Sequence, residues 1–282
     1  MIDKLIQQEI EQQTSDKEVA VLLSGGVDSL SVAFAAHRLG KIITAYTFHL
    51  KGQPTYDSQK AEEVSKVFGW DCKVIEIPTE NLEDDFIKLA KFYNCVKKTH
   101  FECSFPFLYI YKNIIQHEVL SGWAADGYYG ISKKAILHYT KDKAPAFFKE
   151  FRDNYFSEEN RAGYIWHNRI AEEHGKKFIT PYLTDSVKQF FYSKNWEELN
   201  YVDGKIKQKH HVREAFKLEF DKLTKVKEHI NLQLGSGVDK LFETLIDSKR
   251  INPKNRKRVM DIIKDWTKTV PKNVKGDVTK FL

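Results

Sequence analysis

The residues whose types and spacing could do chemistry form one short stretch, Ser-Gly-Gly-Val-Asp-Ser at positions 24–29. Gly25 and Gly26 tolerate positive backbone φ angles and let a ligand approach the main chain closely. Ser24 and Ser29 add hydroxyl donors, and the N–H groups at the start of a following helix would favour an anion. The stretch therefore predicts a phosphate-binding loop, although it lacks the lysine of the G-x-x-x-x-G-K-[ST] loop that transfers a γ-phosphate.

Asp28 is the residue of this loop that indicates which ligand the loop binds. A carboxylate beside phosphates repels them unless a divalent cation lies between, and Mg²⁺ is commonly held by one or two carboxylates together with phosphate oxygens. The loop thus predicts a bound nucleotide with Mg²⁺. The alternative is an ordinary strand-to-helix turn in an α/β protein, in which Asp28 is only a carboxylate at the start of a helix.

The elements that must position the loop are a strand before it and a helix after it. Residues 19–23 form a short apolar run typical of a strand buried on both faces, and residues 28–39 have the apolar spacing of a helix. The same alternation continues along the chain and predicts an α/β fold with a doubly wound parallel sheet. Strands are expected at 42–48, 72–77 and 118–121, and helices at 55–68, 81–93 and 106–117.

Ligands of such sheets bind beyond the carboxyl ends of the strands. Residues 120–130, LSGWAADGYYG, follow the fourth strand, so they are expected to face the same site as the loop at 24–29. From residue 144 the pattern becomes helical, which predicts a helical subdomain packed on the sheet. The expected parts are an N-terminal helix (1–16), an α/β core (17–142), a helical part (143–220) and a basic helical extension (221–282).

The motifs resemble those of a known family. SGGVDS matches the loop of the N-type ATP pyrophosphatases, the PP-loop enzymes, and LSGWAADGYYG resembles the L-S-G-E-G-A-D-E-L-F-G-G-Y segment of asparagine synthetases. ITPYLTDSVKQFF resembles their P-F-L-D segment at residues 181–183, and KQKHHVREAF resembles their K-x-x-L-R-E-A segment. The resemblance covers the synthetase domain only, over about residues 17–220, and implies the HUP fold of adenine nucleotide α-hydrolases.

This resemblance implies the roles of individual residues. The loop with Ser24, Gly25, Gly26, Asp28 and Ser29 would hold the β,γ-pyrophosphate of ATP. Asp28 would share one Mg²⁺ with the aspartate of the second motif, Asp126, and Lys209 would match the family's phosphate-binding lysine, followed by Arg213 and Glu214. ATP and Mg²⁺ are then the expected cofactors. Taken singly, Asp126 could be only a turn residue and Lys209 only a surface lysine.

Two departures from the family concern the step in which a nitrogen would attack the activated substrate. Trp123 stands where the family has a glutamate that manages the proton of the attacking nitrogen, and Gly127 replaces the second acid. An indole N–H donates but cannot accept a proton. Glu102 and His100 are candidate replacements and, with Trp123, candidate substrate-pocket residues. The alternatives are core packing for Trp123 and a helix-capping or solvated role for Glu102 and His100.

Charge is unevenly distributed in this chain of 282 residues with a formal net charge of +6. Residues 201–282 carry 20 basic against 11 acidic residues, and a cluster of four basic residues lies within 254–258. This pattern fits either a nucleic-acid contact or a solvated face. The three cysteines lack C-x-x-C spacing, so we expect no disulfide framework and no zinc site. No run approaches the length of a membrane helix, so a cytoplasmic protein without membrane contact is expected.

The sequence therefore predicts an ATP-dependent ligase that adenylates a substrate, releases pyrophosphate and transfers the substrate to ammonia or an amine. The chain shows no N-terminal cysteine glutaminase domain, so glutamine is not the expected nitrogen donor. A PP-loop enzyme that modifies a tRNA or DNA base is the alternative, with a nucleic-acid rather than a small-molecule acceptor. A third possibility is a protein that binds ATP without turning it over.

Overall fold

The computed structural model describes residues 1–96, 98–130, 145–157, 162–224, 226 and 232–241. The expected boundary at residue 142 and the basic cluster at 254–258 lie outside the described residues. Both therefore stay predictions.

A five-stranded sheet forms the centre of the protein, and all its strands are parallel in the order β3-β2-β1-β4-β5. The order reverses beside β1, as in doubly wound α/β sheets. Helices pack on both faces, so the predicted HUP-like α/β class is confirmed. The strands are β1 Glu18–Leu22, β2 Ile42–Leu50, β3 Asp71–Ile77, β4 Glu118–Ser121 and β5 Lys177–Ile179, and a separate hairpin pairs β6 Tyr201–Val202 with β7 Lys205–Ile206.

The helices expected at 28–39, 55–68 and 81–93 are present within one residue of those bounds, and the second half of the described chain is mainly helical. Two short 3₁₀ turns, Ala125–Tyr128 and Pro181–Leu183, follow β4 and β5. The α-helices are α1 Ile2–Gln13, α2 Val27–Arg38, α3 Tyr56–Phe68, α4 Leu82–Tyr93, α5 Lys98–Ser104, α6 Phe107–Asn113, α7 Pro145–Tyr155, α8 Ala162–Glu173, α9 Asp185–Tyr192, α10 Trp196–Asn200, α11 His210–Ala215, α12 Lys217–Phe220 and α13 Leu232–Ser236.

The alternating side chains of β1 divide the core into two layers. Val19 and Val21 face a layer with α1, α2, α3, α9 and α11, while Ala20 faces a layer with α4, α5, α6 and α8. Because β1 is the middle strand and is covered on both faces, its residues from Val19 to Leu22 are apolar without alternation. This position places the carboxyl end of β1, and the loop that follows, between the two layers.

Several elements differ from the sequence-based expectation. α6 ends at Asn113 rather than at residue 117, and β2 continues to Leu50 rather than ending at residue 48. β5 was not predicted. Its three residues are too few to show a periodic pattern, and its pairing with β4 identifies it as a strand.

Arg38, at the end of α2, joins three distant parts of the chain. Its Nη1 lies 2.9 Å from the Asp3 carboxylate on α1, and its Nε lies 2.6 Å from the Glu219 carboxylate on α12. Both carboxylates are buried, whereas Arg38 is partly exposed. The guanidinium therefore holds α1 and α12 against α2, the helix that starts at the loop.

No helix within the described ranges combines the length and the apolar character needed to cross a bilayer.

Replacing Arg38 by methionine should lower the free energy of unfolding by about 2–3 kcal/mol, because two buried carboxylates would lose their cation while the apolar stem is kept. Chemical denaturation measures this change. Lys217→Met is the matched control, since Lys217 pairs with Asp221 where both side chains are exposed. Equal denaturation midpoints for the two variants would contradict the structural role of Arg38.

Candidate active site

The loop after β1 turns the chain into α2 through two glycines. Gly25 has a φ of +69°, and a methyl group there would lie 2.5 Å from the Lys60 side chain, so only glycine fits. The hydroxyl of Ser29 donates to the Gly26 carbonyl at 3.0 Å and accepts the Ser24 N–H at 3.2 Å. Gly26 caps α2 without a side-chain hydrogen bond, which leaves the first-turn N–H groups of the helix for an anion.

Gly122, which follows β4, brings a second loop into contact with the start of α2. A methyl group at Gly122 would lie 2.5–2.6 Å from backbone atoms of Asp28 and Ser29, so the two main chains touch here. Ala124 then adopts a left-handed conformation with φ +75°, which costs a non-glycine residue about 1–2 kcal/mol. The turn directs Asp126 toward α2. Backbone strain of this kind is concentrated at functional sites.

Lys209 occupies the point where the loop, α2 and the β4 segment meet. Its Nζ donates to Asp28 Oδ2 and lies 2.5 Å from Asp126 Oδ1. Lys209 itself is buried, lies directly before α11 and has a left-handed φ of +57°. The structure thus brings together the three charged residues that the motifs predict at one site, although they are separated by up to 181 positions in the sequence.

The pKa values of Asp28 and Lys209 depend on each other's charge and on the charge of Asp126. Burial raises the pKa of Asp28; Lys209 opposes the shift and the Asp126 carboxylate adds to it. Burial by itself would lower the pKa of Lys209, but the two carboxylates outweigh it, so the pKa lies above its usual value. Lys209 is therefore a cation at neutral pH and balances two carboxylates that would otherwise repel each other.

The two carboxylates fit Mg²⁺ in both position and chemistry. They converge on a single cationic atom, Lys209 Nζ, so they are close enough to share one ion. Asp28 Oδ1 is buried and accepts no hydrogen bond, which leaves one oxygen for a ligand. No group of three or more His, Cys, Asp or Glu residues within the described ranges could hold a metal, so the remaining oxygens would come from phosphate and water.

A cleft of about 680 Å³ opens from this group along the carboxyl edge of the sheet. Its size is that of a site for a nucleotide or a drug-sized molecule. The loop at 24–29, residues 46–48 in the second half of β2 and residues 121–126 at and after the end of β4 line it. Residues 206–209 and Arg213, from the second half of the chain, also line the cleft.

The proposed substrate-pocket residues are not all in this cleft. Trp123 lines it. Glu102 pairs with Lys98 at 3.3 Å, while His100 Nδ1 accepts the Val96 N–H and the His100 ring packs on Trp166. Neither Glu102 nor His100 is among the described residues that line the cleft, so the structure does not bring them to the loop. Their predicted roles stay predictions.

Cys103, Tyr155 and His167 are among the cleft residues that the sequence analysis missed. The Tyr155 ring occupies the space beside Gly127, where any larger side chain would overlap it, and this accounts for glycine at the place of the family's second acid. Burial raises the pKa of the Tyr155 hydroxyl, and the Asp126 carboxylate adds to the shift. The three residues carry no motif, so no sequence signal marks them.

Residues 181–183, the segment that resembles the family's P-F-L-D, support the site from behind α2 and the turn after β4. Tyr182 is buried, its hydroxyl hydrogen-bonds to that of Ser31 on α2 at 2.7 Å, and its carbonyl accepts the Tyr128 hydroxyl at 2.5 Å. The segment therefore joins α2 to the turn that carries Asp126.

Arg213 and Glu214 are the two residues that match the pair following the family's lysine. Arg213 lines the cleft, whereas Glu214 is exposed beside Lys207.

A parallel sheet with a Ser-Gly-Gly loop, two converging aspartates and a lysine is the site of a PP-loop, ATP-using enzyme. The family model for asparagine synthase matches residues 1–221, and the chain belongs to this family. The predicted membership is thereby confirmed. No curated protein matches the sequence.

Two solved structures are similar over most of the chain. A predicted subunit of a tRNA methyltransferase from Methanocaldococcus jannaschii is 15% identical, with a TM-score of 0.34, over 76% of this chain and 100% of that one. The U34-tRNA thiolase NcsA from Methanococcus maripaludis, with its [4Fe-4S] cluster, is 12% identical, with a TM-score of 0.35, over 98% of this chain and 82% of that one. Family membership rests on the family match and the assembled motifs, not on these two structures.

Replacing Gly122 by alanine should weaken MgATP binding about 10-fold or more, because the methyl group would push the β4 loop away from Asp28. Isothermal titration measures the affinity. Gly175→Ala is the control: its φ is +65° and no atom lies within 4 Å of the added methyl. We expect Gly175→Ala to lose about 1 kcal/mol of stability and no nucleotide affinity. Unchanged affinity in Gly122→Ala would show that the loop contact is not needed.

Proposed function

We propose that the protein is an AMP-forming ligase, which activates an acceptor with MgATP and then transfers it to ammonia or an amine. The observation that supports this reaction is the convergence of Asp28, Asp126 and Lys209 beside a phosphate-binding loop. The loop has no P-loop lysine for γ-phosphate transfer, which favours attack at the α-phosphate instead.

Each part of the site would have a separate task in the first step. The Gly25–Gly26 turn and the first N–H groups of α2 bind the β,γ-pyrophosphate, and Asp28 and Asp126 hold Mg²⁺. When bound by these two carboxylates, Mg²⁺ would supply positive charge against the phosphates. Lys209 has three N–H donors, and with the carboxylates engaged elsewhere it donates to the α-phosphate as negative charge develops there.

The two half-reactions balance without a further reactant. An acceptor oxygen, for example of a carboxylate, attacks the α-phosphorus while the α–β anhydride bond breaks and pyrophosphate leaves. The nitrogen of ammonia or an amine then attacks the activated carbon, AMP leaves, and the nitrogen releases a proton. Trp123 cannot accept that proton. Glu102 remains the proposed base, although its ion pair with Lys98 lies away from the cleft lining.

A nucleic-acid acceptor is the second candidate, favoured by the excess of basic over acidic residues in 201–282. Phosphate contacts from lysine and arginine would bind such an acceptor independently of its sequence. The first half-reaction is the same for both candidates. They differ in whether RNA or a small molecule stimulates the release of pyrophosphate.

Incubation with α-labelled ATP and Mg²⁺ should give labelled AMP and pyrophosphate once an acceptor is present. A low-molecular-mass cell fraction and total RNA serve as two separate acceptor sources, and mass spectrometry identifies the adenylated compound. Formation of ADP and phosphate would contradict the proposal. Tight MgATP binding without AMP in either arm would favour a nucleotide-binding protein without turnover.

Asp28→Asn and Asp126→Asn should each reduce Mg²⁺-dependent AMP formation by about 10²-fold or more, because each removes one charge from a shared cation. Circular dichroism and thermal unfolding check that the fold is kept. Asp153→Asn is the matched control, since Asp153 is exposed on α7 beside Lys149. A wild-type rate in either site variant would exclude that carboxylate as a metal ligand.

A further inference from the structure

His167 on α8 is a buried polar residue that the proposed adenylation does not use. Its ring lines the cleft, yet the residue is only 1% exposed. Neither ring nitrogen makes a hydrogen bond of standard geometry, although the Cys103 backbone lies close enough to interact with one of them. A buried polar atom without a hydrogen bond of good geometry is unfavourable, so a ligand group that bonds to this ring would be stabilised there.

The walls around His167 are aromatic. The Phe107 ring lies 4.1 Å from the His167 ring, the Trp123 ring 4.5 Å and the Phe178 ring 5.7 Å, all between ring centroids. Phe107 and Trp123 line the cleft together with His167. Aromatic surfaces of this kind favour flat rings in stacked or edge-to-face contact.

Trp123 is held in place by its own backbone. Its carbonyl accepts the Thr180 hydroxyl at 2.8 Å, and its N–H donates to the Ser121 hydroxyl at 3.2 Å. Asp126, one of the two proposed metal ligands, lies three residues further along the same loop. The aromatic end of the cleft is therefore preformed and adjoins the place where the phosphates are expected.

We propose that the Trp123–His167 pocket, formed by Trp123, His167 and Phe107, binds a planar, uncharged heteroaromatic ring whose nitrogen or oxygen hydrogen-bonds to His167. On the proposed function, on which this assignment rests, that ring belongs to the acceptor. The acceptor is then a heteroaromatic compound, free or as a base of a polynucleotide, and not an acidic amino acid.

The electrostatics of the pocket agree with an uncharged ring. Burial lowers the pKa of His167 to about 3, although the Cys103 backbone opposes the shift in part. The imidazole is therefore neutral at pH 7, with one nitrogen that donates and one that accepts. A neutral imidazole can still offer one nitrogen to an uncharged heterocycle, whereas a carboxylate here would lack a cationic partner on His167.

Isothermal titration tests the pocket in protein saturated with Mg²⁺ and α,β-methylene-ATP, which keeps the nucleotide site filled. The probes are nicotinamide, guanosine, uridine and a twelve-nucleotide single-stranded RNA, with L-aspartate as the acidic comparison. We expect at least one ring probe to bind with a dissociation constant below about 1 mM and L-aspartate not to bind. RNA affinity more than 100-fold above that of both nucleosides would identify a polynucleotide as the source of the ring.

His167→Phe keeps the ring packing and removes both nitrogens, so it should weaken the ring probe about 10-fold and leave the ATP analogue unchanged. Trp123→Ala is the second variant and should also weaken the ring probe more than the nucleotide. A measurement that needs no variant is ¹⁵N NMR of histidine-labelled wild-type protein, in which the probe should shift the His167 ring signals.

Several results would overturn the assignment while the proposed function stands. These are binding of the ATP analogue with no ring probe below 1 mM, equal probe affinity in wild type and His167→Phe, or unshifted His167 signals at saturation. Failure to bind the ATP analogue would instead contradict the proposed function.

Discussion

The contact of Lys209 with Asp28 and Asp126 is the interaction on which the arrangement of the site depends. Two carboxylates this close, partly buried from water, repel each other unless a cation lies between them. A buried lysine is costly in turn unless it is paired. The start of α2, the loop after β4 and the start of α11 therefore converge because each brings a charge that the others need.

The main chain can bring these three segments together because it has a glycine at the contact and two residues in the left-handed conformation. Gly122 lets the β4 loop touch the first turn of α2, and Ala124 and Lys209 adopt positive φ angles beside the charges. Such angles cost energy in residues that carry a side chain. The cost is offset by the ion pairs, so the same group supports both the local fold and the binding of a nucleotide.

The departures from the asparagine synthase pattern have packing reasons as well as chemical ones. Gly127 leaves space for the Tyr155 ring, and Trp123 packs against His167 rather than presenting an acid to the cleft. The ATP half of the site thus keeps the family's residues, while the adjoining end is apolar and aromatic. This difference within one cleft supports our proposal that the acceptor is unlike aspartate.

The sequence by itself determined the α/β class, the first four strands, the loop at 24–29 and the identities of Asp28, Asp126 and Lys209. It could do so because strand and helix periodicity and short loop motifs are local properties. Only the tertiary structure decided that β5 completes the sheet, that Glu102 pairs with Lys98 away from the cleft lining, and that His167 enters the cleft. A three-residue strand has no measurable period, and the direction of a side chain on a helix depends on what packs against it. These features come from contacts between distant segments, which no local pattern encodes.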